Sequence, residues 1–166
     1  VPLVCGAAPH IGCGSKSKPV LLGFEKRNDA VHEAWLNRTG TVIAVVWNDN
    51  SSAENRISIA NEIFNGNKMD VDVLQGKEHK KLLKNFEKKE NWYKGTDVDK
   101  LSIEEAGVIA ERLVARLNKQ VQLTEDKNKA LKNEITEVFR KCFTENYGNE
   151  INTNESKLVN DFKIKI

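Results

Sequence analysis

With 166 residues, 39% hydrophobic and 30% charged, the chain has the composition of a folded domain with room for an extension, and its longest apolar stretch, Val42 to Trp47, is far too short to span a bilayer. Its 26 basic and 24 acidic side chains leave a net charge of +2, which gives no strong field that points to nucleic acid or an anionic membrane as a partner, and nothing predicts membrane insertion. Three cysteines fit one disulfide with a thiol left over, or no disulfide at all.

Pro2 to Cys5 reads as a short apolar strand, and the chain's opening on Val1 suggests a mature form whose leader has been removed. That reading predicts a periplasmic or secreted protein, with a cytoplasmic one as the alternative. A glycine-rich loop, Cys5 to Gly14, runs into Ser15-Lys16-Ser17-Lys18-Pro19, where a serine can cap a helix and Pro19 suits its opening turn. The predicted helix covers residues 19–28. Val31 to Asn37, a turn at Arg38-Thr39-Gly40, and the β-branched run from Thr41 to Trp47 predict a hairpin. Ser51-Ser52-Ala53-Glu54 fits a capping box, followed by Ala53, Ile57, Ala60 and Phe64 at helical spacing and a stop at Gly66. Met69, Val71 and Val73 alternate with Asp70 and Asp72, which predicts a strand with one wet face.

The predicted order is therefore βαββαβ. After Gly76 the composition shifts to a charged helical stretch, residues 77–90, and the Trp92-Tyr93-Lys94-Gly95 island stands before a second capping box, Ser102 to Glu105. Ala106, Ile109, Leu113, Leu117 and Val121 form one apolar stripe. Leu131, Ile135, Val138, Phe139 and Cys142 form another, in a helix entered through Thr124, so the two helices are expected to pair. Asn146 to Ser156 reads as loop and Leu158 to Ile166 as a terminal strand. The whole predicts an α+β protein, a ferredoxin-like βαββαβ sandwich over residues 1–76 with a mostly helical extension over 77–166 packed on or beside it.

Cys13-Gly-Ser-Lys-Ser-Lys-Pro, followed by a helix and then by Ala30-Val31-His32-Glu33-Ala34-Trp35-Leu36-Asn37-Arg38-Thr39-Gly40-Thr41-Val42, resembles the heavy-metal-associated domain over residues 3–75. In that family a Cys-x-x-Cys loop leads into the first helix. The resemblance implies a metallochaperone-like carrier or sensor of soft or borderline ions, of the copper, zinc and mercury class, that hands its ion to a partner protein. The family's ligand role carries over to Cys13 alone, because Lys16 stands where the second loop cysteine belongs.

Within the loop, the residues that can complete a ligand set are Cys5 and His10, so the expected metal site is Cys5, His10 and Cys13, holding Cu(I) or Zn if it holds an ion. Cys13 precedes a predicted helix N-terminus and lies near Lys16, and both favour thiolate over thiol. A Cys5–Cys13 disulfide in a non-catalytic structural or protein-interaction domain is the competing reading, since Gly6, Pro9 and Gly12 let so short a loop close. Cys142, within an apolar stripe, is expected to be an inert core thiol, His32 partly buried and His79 solvated. No nucleophile and base pair predicts an enzyme, and a thiol-redox activity fits poorly without Cys-x-x-Cys. The expected partners are a metal ion and a protein, or a second copy of the chain bound through the helical extension. Trp35, Trp47 and Trp92 are placed to pack that extension onto the sheet.

Overall fold

The computed structural model describes residues 4–5 and 8–145, with the backbone alone for 4, 5 and 9. The predicted loop after Asn146 and terminal strand at Leu158 to Ile166 lie outside the described residues. Strands β1 (Val4–Cys5) and β2 (Ala8–Gly12) form a small antiparallel pair in which Cys5 stands opposite Ala8 and Val4 opposite Gly12. Most of the expected loop is thus a strand, and its end is fastened to the neighbouring hairpin. The Gly12 N–H donates to the Arg38 carbonyl at 2.7 Å. A Cβ on Gly12 would stand 2.8 Å from the Gly40 Cα, so two glycines are needed where these backbones meet.

Helix α1 (Gly14–Glu25) begins five residues before the predicted start, with Pro19 inside it. Ser17 donates its hydroxyl back to the Cys13 carbonyl at 2.9 Å, which keeps the chain helical ahead of the proline. Pro19 then forfeits a single intrahelical bond. The hairpin forms as predicted, β3 (Val31–Asn37) against β4 (Ile43–Trp47), with Ala34 opposite Val45 and Leu36 opposite Ile43. Asn37 closes its turn, its side-chain oxygen accepting from the Thr41 and Val42 amides at 2.9 and 3.0 Å.

Helix α2 (Ala53–Gly66) also matches, and the Ser52 hydroxyl accepts from the Asn55 amide at 3.2 Å as a capping serine should. Its buried contacts, however, are Ile59 and Ile63, while Ile57 of the expected stripe is 63% exposed. Ile63 packs over Gly23 of α1, where an added Cβ would come within 3.3 Å.

The βαββαβ order is not what the chain adopts. Residues 69–75 join no sheet, and the vacant side of β3 is taken by β5 (Trp92–Tyr93), which sets Tyr93 opposite Leu36 and Trp92 opposite Asn37. The sheet order is β4-β3-β5, all antiparallel. Alternation at Met69, Val71 and Val73 specifies which residues would share a face, but it supplies no partner strand. The fold is α+β all the same.

Between them lies α3 (Gly76–Glu87), and α4 (Asp99–Asn118) and α5 (Glu125–Glu145) complete the described chain. The second capping box is overturned: α4 starts at Asp99, so Ser102 and Glu105 are internal and buried. A turn from Lys94 to Val98 winds directly into the helix, with the Leu101 amide already donating to the Val98 carbonyl.

The expected pairing of α4 with α5 is present, Ala110 and Val114 packing with Ile135, and Ala106 and Ile109 with Phe143. Leu113, Leu117 and Val121 of the predicted stripe stay exposed. The main core joins Val20, Leu21 and Phe24 of α1 to Leu36 and Ile59, and it takes in Val98 and Leu101, so it crosses the compositional boundary at Gly76. Lys18 to Asp99 at 2.5 Å and Arg38 to Glu104 tie α4 to α1 and to the hairpin turn.

Candidate functional site

Cys13 occupies the cap position ahead of α1 in an extended conformation (φ −76°, ψ 101°), and this turns its side chain inward rather than out into a loop. It is 6% exposed, and its Sγ lies 3.3 Å from the Ser15 hydroxyl. Glu105 of α4 lies close to it, and Ser102, one turn earlier on α4, faces Gly14; both are buried, and Ser102 Oγ has no hydrogen-bond partner among the described residues. Gly14 permits this approach. A Cβ there would stand 2.3 Å from Ser102 Oγ and 2.5 Å from the Val98 carbonyl oxygen.

Burial pushes the Cys13 thiol above its ordinary value, the nearby Glu105 carboxylate adds to the rise, and the Ser15 and Lys16 contacts pull weakly the other way. The expected thiolate is therefore reversed. Lys16 sits in water, where its charge is screened, whereas Glu105 sits with Cys13 inside. Cys13 is a free thiol in this structure, so the competing reading, a Cys5–Cys13 disulfide, is not the state it shows.

His10 is exposed on β2, where with Ala8, Ile11, Val108 and Arg112 it lines a shallow groove of about 220 Å³. Of the expected ligand set Cys5, His10 and Cys13, one described side chain thus faces solvent and the other the interior, and the Cys5 side chain lies outside the described residues. Among the described residues no group of three His, Cys, Asp or Glu side chains is placed to hold a metal ion. Among the described residues Cys13, a desolvated and protonated thiol, has no second soft ligand beside it. Cys142 is half-buried against the core of α4 and α5, as expected of a core thiol. His32 is exposed rather than partly buried, because the bulge between Val31 and Glu33 turns it outward.

A second constellation went unseen in the sequence. On the outer face of the sheet Glu33 receives Lys89 and Lys94, each at 2.7 Å, and the Trp35 indole N–H at 3.1 Å. Both ammonium groups lie 4.8 Å from the centre of a Trp35 ring. Lys89 and Lys94 hold the Glu33 carboxyl down at about 2. Phe86 of α3 meets Trp35 edge-on at 6.1 Å and Trp92 at 5.1 Å, while Trp47 packs on the other face against Phe24. The tryptophans do fasten the extension to the sheet, through Trp35 and Trp92. Only the isolated island at Trp92 signalled this, since Lys89 and Lys94 lie 56 and 61 residues from Glu33.

No helix among the described residues is long and apolar enough to cross a membrane. The chain matches no known family model, no curated protein and no solved structure.

Proposed function

We propose that the chain is a non-catalytic binding domain in which the start of α1, where a carrier would hold its ion, serves the packing of α1 on α4. The observation that supports this is the inward placement of Cys13 against Ser15 and Glu105, with its thiol held protonated by burial. A soft-metal carrier needs its thiolates at the surface, where a partner's ligands can reach the ion. Contact with partners then falls to the extension, which crosses the outer face of the sheet through α3 and β5 and ends in the α4–α5 pair.

Native mass spectrometry of the reduced full chain after exposure to Cu(I) or Zn(II) tests the reading. The expected result is no stoichiometric ion. One ion per chain, lost on Cys13→Ser, would overturn it and restore the carrier or sensor implied by the resemblance to heavy-metal-associated domains.

A further inference from the structure

Helix α3 carries Lys77, Lys80, Lys81, Lys84 and Lys88 at positions i, i+3, i+4, i+7 and i+11, counting the lysine just past its end. At 3.6 residues per turn these fall within an arc of about 100°. All five are exposed, and among the described residues none is ion-paired; Glu33 is taken by Lys89 and Lys94, while the exposed Asp70, Asp72 and Glu90 flank the helix in the chain. Glu78 lies off the arc and Glu87 at its edge. Leu82 and Phe86 occupy the opposite side of the helix, with Phe86 seated on Trp35 and Trp92, so the lysine row is turned away from the body of the protein.

The geometry points to an anionic lipid surface as the partner of this row. Five lysines on one side of an amphipathic helix form the kind of cluster that anionic headgroups attract. Apolar side chains are also exposed on this helix and on the stretch before it: Leu83 is 46% exposed on α3, and Val71 and Val73 are 44% and 83% exposed in the unpaired stretch that leads into it. These give a headgroup layer something to take up. A nucleic acid would find no ring to stack on here, since Phe86 and the tryptophans lie on the far side of α3. The attachment is peripheral, electrostatic first and deepened by these three side chains, since no helix among the described residues is long and apolar enough to cross the bilayer.

The inference rests on the binding-domain reading and names its partner, but the two are tested separately: metal uptake would overturn that reading, and lipid binding alone decides this one. Flotation of the full chain with phosphatidylcholine vesicles, with and without one-third phosphatidylserine as a rough membrane proportion, reads it directly. The chain should float with the anionic vesicles, remain behind with the neutral ones, and come off as salt is raised. Lys80→Glu with Lys84→Glu should weaken binding by about tenfold or more, since each lysine near such a surface contributes about one factor of five to ten. Lys127→Glu with Lys129→Glu changes the net charge equally on exposed positions of α5 and should leave flotation nearly intact. Equal loss in both double variants, no flotation at all, or capture by nucleic acid in competition with the vesicles would each overturn the inference.

Discussion

Two carboxylates, Glu105 beside Cys13 and Glu33 on the sheet face, act in opposite ways. Glu105 is inside, against a thiol, and raises the Cys13 pKa; Glu33 is on the sheet face beneath two ammonium groups, and its own pKa falls to about 2. The difference is one of company and water. Inside, a charge disfavours a like charge on its neighbour and burial penalises both; at the rim, opposite charges meet while water still screens them. The residue with the richest chemistry, Cys13, is therefore placed where chemistry is suppressed, and the ordinary residues Glu33, Lys89 and Lys94 carry the exposed electrostatics.

The largest effect should come from crowding the inner cluster. Gly14→Ala puts a methyl group into Ser102 Oγ and the Val98 carbonyl oxygen, and should lower the unfolding free energy by about 3 kcal/mol in denaturant titration. A change below about 1 kcal/mol, within what a tolerated swap costs, would show that α1 and α4 are not packed there as described. On the outer side, Phe86→Ala removes two edge-on ring contacts from a half-buried residue. It should cost about 2 kcal/mol and shift tryptophan emission to the red; unchanged emission would mean that α3 does not rest on the sheet.

Glu33→Gln should cost about 1 kcal/mol, a figure kept small because the lysines are partly exposed and screened. Its signature is in acid. A carboxyl with a folded pKa near 2 contributes stability that is complete above its usual range and is lost as pH falls toward 2, so Glu33→Gln should flatten the stability profile below about pH 4.5. Cys13 should give the smallest effect and at the other end of the scale. Its folded pKa is raised, so its contribution is complete below the usual thiol range and is lost as pH rises through the folded value. At neutral pH an aromatic disulfide reagent should label Cys13 roughly tenfold more slowly than in denaturant; equal rates would place the thiol at the surface and break the contrast with Glu33.

Local signals carried the hairpin, α2 with its Ser52 cap, and the pairing of α4 with α5, because each depends on residues near one another in the chain. Where the reading failed, a distant segment had intervened. Ser102 and Glu105 have the spacing of a capping box, yet the turn at Lys94 to Val98 had already begun the helix, and α1 covered both side chains. Met69 to Val73 has the alternation of a strand, but β5 came to β3 in its place. In the candidate site the burial of Cys13 was illegible for the same reason, since it depends on α4, some ninety residues on, as a rough chain separation for a long-range contact. The loop's composition was informative about which atoms were present and silent about which way they faced.

The contact between Gly12 and Gly40 has a mechanical consequence. A loop that delivers an ion has to yield when a partner approaches, and its residues must exchange one set of neighbours for another. Here the chain just before Cys13 is braced backbone to backbone against the hairpin turn, with the Gly12 amide bonded to the Arg38 carbonyl and no side chain between them to rearrange. What the sequence offers as a glycine-rich loop is a strut, and the chain entering Cys13 is held by a turn that lies more than twenty residues downstream of it, a separation of roughly that order being common for non-local contacts.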